Sequence, residues 1–76
     1  MFDYTICKHN SPKEFKQTCE KIEQHFSHIK KHKLLVDVDG STIQIYSNGD
    51  AKIKIYDDYD VGAVFVISDL DLQSIL

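Results

Sequence analysis

Apolar residues recur at spacings of three and four from Phe15 through Cys19, Ile22 and Phe26 to Ile29, and from Leu34 onward they recur at every second position. The first period belongs to a helix with one buried face, the second to strands with one buried face. A 76-residue chain that changes period in this way buries both faces most simply against each other. The expected fold is therefore a two-layer α+β domain, one long N-terminal helix packed on an antiparallel sheet.

Local signals set the expected boundaries. Ser11-Pro12-Lys13-Glu14 is a helix start: serine caps an amide three residues on, proline suits the first helical position, and Glu14 can close a capping box. The spacing predicts a helix from Pro12 to about Lys31, with Lys30, Lys31 and Lys33 near the negative end of its dipole. Before it, Phe2, Tyr4 and Ile6 alternate with polar residues as a first strand. After it, Leu34, Val36 and Val38 lead into Asp39-Gly40, read as a two-residue hairpin turn that sets Val36 opposite Ile43 and Leu34 opposite Ile45. A three-residue Ser47-Asn48-Gly49 loop then sets Ile45 opposite Ala51 and Ile43 opposite Ile53. This register puts the aliphatic residues on the helix side and leaves Thr42, Gln44, Tyr46, Lys52, Lys54 and Tyr56 outside. Residues 61 to 67 form a last strand, apolar on both faces and so interior to the sheet, beside the first strand or covered by the C-terminal segment or a second subunit. Leu72, Ile75 and Leu76 suggest a short closing helix. The expected order is β-α-β-β-β-β with that optional C-terminal helix.

An apolar fraction of 42% and a charged fraction of 28% are those of a globular chain, so residues 1 to 76 are read as a single domain that folds alone or as a homodimer. Cys7 and Cys19 are too few for a disulfide framework and lack metal-ligand spacing, which favours a reducing cytoplasm. No apolar run approaches a membrane span, and no basic segment precedes an apolar one at the N-terminus, so neither membrane association nor processing is expected. There is no arginine beside nine lysines and nine isoleucines. That absence argues against sequence-specific nucleic-acid binding, and the codon bias points to low-GC bacteria, their phages or mobile elements.

Charge is sorted along the chain. Residues 1 to 36 hold seven lysines, four acids and every histidine, whereas residues 37 to 76 hold eight aspartates against Lys52 and Lys54. Such a dipolar molecule can steer an oppositely charged partner. In an up-and-down meander the Asp39-Gly40 turn and the 57 to 60 loop share one end of the sheet, so Asp37, Asp39, Asp57, Asp58 and Asp60 converge with Tyr56 and Tyr59 among them. Like charges gathered in this way cost stability, and tyrosine beside acids suits recognition of a basic protein surface. Aspartate is also an ordinary turn residue, and a calcium site needs an oxygen spacing this sequence does not have.

Other constellations carry less. His25, His28 and His32 form a stripe flanking the apolar helix face, but zinc wants four ligands, and no metal or cofactor is expected. Neither cysteine has a partner for catalysis, and no nucleophile triad or phosphate-binding glycine loop is present, so no enzyme is expected. A helix with a three-stranded meander resembles a double-stranded-RNA-binding domain in outline only, since the long basic second helix is missing. The sequence therefore reads as a small non-enzymatic protein-binding module, an acidic inhibitor or immunity-type protein of phage or bacterial origin. The alternative is an RNA-binding or accessory subunit using Lys13, Lys16, Lys21 and the lysines that follow.

Overall fold

Six strands and one helix follow each other in the computed structural model, which describes residues 1 to 76: β1 Phe2–Cys7, α1 Pro12–His25, β2 Lys30–Lys31, β3 Leu35–Val36, β4 Thr42–Asn48, β5 Ala51–Asp58 and β6 Ala63–Ser68. They build one antiparallel sheet in the order β1-β6-β5-β4-β2, with β3 also on β4. The helix lies across one face of it. The α+β class matches the sequence reading, and β6 is interior, between β5 and β1, as its two apolar faces demand.

The helix is shorter than its apolar period suggests. It begins as expected, with Ser11 extended at φ −156 and ψ 103 and its hydroxyl accepting from the Glu14 amide at 3.1 Å. It ends at His25, and Phe26 turns out of it at φ −107 and ψ 98. Strands of six to eight residues span about 20–26 Å, so a 20-residue helix of about 30 Å would overhang the sheet. Lys30 and Lys31 instead pair with Ser47 and Tyr46, adding a short strand to the edge of β4. Phe26 and Ile29 still pack against the core from outside the helix, which is why the periodicity ran on.

Both hairpin loops differ from expectation by one residue. Asp37 donates to the Ser41 carbonyl at 2.8 Å and Gly40, at φ 90, closes a three-residue loop, so Val36 meets Thr42 and Leu35 meets Ile43. Between β4 and β5 the loop is the pair Gly49-Asp50, with Asn48 opposite Ala51, and only Gly49 has a positive φ, 63, as a glycine-first two-residue turn requires. Because side chains alternate, these shifts turn β4 over. Tyr46 and Gln44, opposite Ile53 and Ile55, face the helix, and Ile43 and Ile45 face away.

The core holds Cys19, Ile22, Tyr46, Ile53, Ile55, Val66 and Leu72. The polar members are satisfied: Tyr46 donates its hydroxyl to Glu23 at 2.5 Å, and Gln44 donates to the His32 carbonyl at 2.6 Å. No buried polar side-chain atom lacks a partner. In place of the expected closing helix, residues 69 to 76 make a single turn, with Leu76 donating to the Leu72 carbonyl. Tyr4 fixes this turn to β1 by accepting from the Leu72 amide at 2.8 Å and donating to Asp71 at 3.0 Å. Leu72 is thereby buried in the core. No helix is long and apolar enough to cross a membrane.

Candidate functional site

At one end of the sheet the β3–β4 loop and the β5–β6 loop touch. The Tyr59 amide donates to Ser41 Oγ at 2.8 Å, and the Tyr59 ring lies 3.5 Å from where a side-chain carbon on Gly40 would stand. A side-chain carbon there would only touch the ring at ordinary contact distance, so it is the positive φ that calls for glycine. The two loops form one surface carrying Asp37, Asp39, Asp58, Tyr59 and Asp60.

The carboxylates also shape the loops that bear them. Asp37 Oδ1 accepts from the Val38 amide at 2.7 Å and Asp39 Oδ1 from the Ser41 amide at 2.9 Å. Asp58 Oδ1 accepts from the amides of Asp60 and Val61, and the Asp58 carbonyl accepts from Gly62. These are side-chain turns of the kind for which aspartate is favoured. The bond from the Ser41 amide holds the Asp39 carboxyl below its ordinary pKa.

Two of the seven expected docking residues lie elsewhere. Asp57 is 3% exposed and faces the helix layer, where its Oδ1 accepts from Asn10 Nδ2 at 2.9 Å. The same Asn10 group reaches the Asp58 carbonyl at 2.9 Å, which fastens the approach to α1 onto the end of β5. Alternation along β5 explains this: residues 53, 55 and 57 share the inner face, and a run of aspartates in sequence conceals that one of them points inward. Tyr56 projects from the opposite face and stacks on Phe65 with ring centroids 4.6 Å apart. It borders the acidic end without belonging to it.

Sequence reasoning missed the apolar part of this surface. Val38, at the tip of its loop, is 104% exposed, and Val36 and Val61 are exposed beside it. The alternation that assigned Val36 and Val38 to a core strand hid them, because β3 is only two residues long. A valine next to a turn glycine, outside any paired strand, was the available signal.

The opposite end mixes both signs, with Asp50 in the β4–β5 turn and Asp69 accepting from the Lys52 amide at 2.9 Å. Lys30 and Lys31 lie beside Ser47 and Tyr46, and Lys52 follows the Gly49-Asp50 turn. The helix starts at the acidic end, through Asn10, and ends at the other, where Glu23 binds both Tyr46 and Lys31. The positive end of its dipole thus faces the acidic loops, a favourable arrangement. Lys31–Glu23, at 3.2 Å, is the one ion pair in the chain, so Asp37, Asp39, Asp58 and Asp60 make none.

The histidine stripe is not formed, since the helix stops at His25 and His32 Nε2 instead meets Ser47 Oγ at 2.6 Å. Cys19 is buried, and burial pushes its thiol pKa up, away from reactivity. The Cys7 thiol donates to the His9 carbonyl at 3.2 Å. Comparison with protein-family models, curated proteins and solved structures finds no match to this chain.

Proposed function

We propose that the chain is a small non-enzymatic protein-binding module that docks its acidic end on a basic surface of a partner, as acidic inhibitors and immunity-type proteins of phages and bacteria do. One observation carries this reading: four carboxylates that make no ion pair share two hydrogen-bonded loops with exposed Val38, Val61 and Tyr59. An apolar centre with a charged rim is the usual anatomy of a protein interface. Pre-formed loops lower the ordering cost of binding. Acidic rim charges would speed encounter with a basic partner, and the valines and tyrosine would hold it afterwards.

The test compares the wild-type chain with Asp37→Asn, Asp39→Asn and Asp60→Asn combined. Asparagine can still accept the turn hydrogen bonds, so the fold is preserved while three charges go. Immobilised protein is exposed to host extract, and the retained proteins are identified by mass spectrometry. A basic protein held by the wild type and lost by the triple variant, with an association rate that falls as salt rises, is the expected result. Retention of RNA instead, abolished by Lys13→Gln, Lys16→Gln and Lys21→Gln, would overturn the proposal in favour of the lysine-bearing helix.

A further inference from the structure

The sheet has a second face that nothing in the chain covers. Paired residues place Leu35, Ile43, Tyr56 and Phe65 in one row across it, and Ile45 and Ile67 flank Lys54 in the next. Leu35, at the margin, is exposed, whereas the other five are half-buried, with the Tyr56–Phe65 stack and Lys54 between them. Along β5 this face reads Lys52, Lys54, Tyr56, Asp58. The charge changes sign on either side of Tyr56.

That pattern is complementary to itself. Turning a second sheet over about a two-fold axis that crosses the strands at Tyr56 brings each Lys54 opposite the other copy's Asp58. The aromatic row then meets its own copy. We infer that the exposed sheet face bearing Ile43, Tyr56, Phe65 and Ile67 is the interface of an antiparallel homodimer, with reciprocal Lys54–Asp58 pairs setting its register.

The size of the face sets the strength. Five strands about 4.8 Å apart and roughly six residues long make a face of about 500 Å² per copy, at the lower limit for a specific interface. A reversible dimer follows, with Kd on the order of 10–100 µM. The two sheets would pack about 10 Å apart with nearly aligned strands. The antiparallel arrangement sends the Val38 ends to opposite extremities, leaving Asp37, Asp39, Asp60 and the exposed valines of each free while Asp58 is taken up by the dimer. The inference goes beyond the docking reading and stands or falls separately from it.

Sedimentation velocity from about 1 µM to 1 mM tests this range. The wild type is expected to pass from monomer to dimer. Lys54→Glu, which sets like charges against each other, is expected to weaken association about tenfold or more while circular dichroism stays unchanged. Asp58→Asn keeps the acceptor for the Asp60 and Val61 amides, and added to Lys54→Glu it should recover much of the loss, a non-additivity that identifies the pair. Phe65→Lys should abolish the dimer; if that variant does not fold, the Lys54/Asp58 cycle decides alone. A wild type that stays monomeric throughout would overturn the inference. So would a dimer indifferent to Lys54→Glu and Phe65→Lys, because association would then run through another surface, such as the open edge of β1.

Discussion

Tyr46 joins the two layers of the domain through a single hydroxyl. Its ring is fully buried among Cys19, Ile22 and Ile53, and burial together with the Glu23 contact pushes its own pKa far up. The hydroxyl in turn holds the Glu23 carboxyl below its ordinary range, with Lys31 assisting. A carboxylate with a lowered folded pKa contributes stability that is complete above its ordinary value and is lost as pH falls through the lowered one. Tyr46→Phe should therefore cost about 1–2 kcal/mol near neutrality, with the gap to wild type narrowing below about pH 4. Urea denaturation at several pH values measures both. A constant gap would mean that Glu23 does not respond to the hydroxyl. Asp57 gives the second residue-scale expectation: Asp57→Ala leaves Asn10 without its side-chain acceptor and should cost about 1–3 kcal/mol. Neither role was legible beforehand. A tyrosine on the polar side of an alternating strand and an aspartate in an acidic run both look like surface residues until the register is known.

Among the elements, those specified by local chemistry were readable and those specified by competition between neighbours were not. Ser11 and Pro12 start the helix wherever the rest of the chain goes, so that boundary held, and Ser11→Ala should lower unfolding free energy by about 1 kcal/mol. The helix end depends on how far the sheet extends beneath it and on the chance for Lys30 and Lys31 to pair with β4, neither visible in a local window. The hairpins failed for a related reason. Each loop contains one glycine compatible with either a two-residue or a three-residue turn, and keeping isoleucines inside favours the wrong one of the two. That criterion undervalued Tyr46, whose ring brings more apolar area inward than an isoleucine and whose polar tip finds Glu23. Gly49→Ala is expected to cost about 1–2 kcal/mol in urea denaturation, since nothing lies within 4 Å of a new side-chain carbon and the positive φ alone opposes it. Cross-strand nuclear Overhauser contacts should join Tyr46 to Ile53 rather than Ile43 to Ile53.

For the molecule as a whole, stability of about 4–11 kcal/mol is the range for a chain of this length, so one core truncation matters. Ile53→Ala, at a site 1% exposed, should cost roughly 2–5 kcal/mol and shift the thermal midpoint accordingly. The charge sorting seen in the sequence survives only in part as a separation of ends: the meander returns two acidic loops to one side, but Asp50 and Asp69 lie at the other beside Lys52. The exposed valines and the second apolar face depended on strand lengths and faces that alternation alone left ambiguous. The pairing of β1 with β6 has a kinetic consequence. Tyr4 reaches Leu72 across a separation of 68 residues, whereas β4, β5 and β6 close through short loops. Forming β4–β5–β6 costs little loop entropy, and β1 has no partner until β6 is in place. The first strand of the chain is therefore expected to be the last to join. Tyr4→Phe should accelerate unfolding and leave the refolding rate nearly unchanged, a φ-value near zero at one edge of a sheet whose centre is already formed.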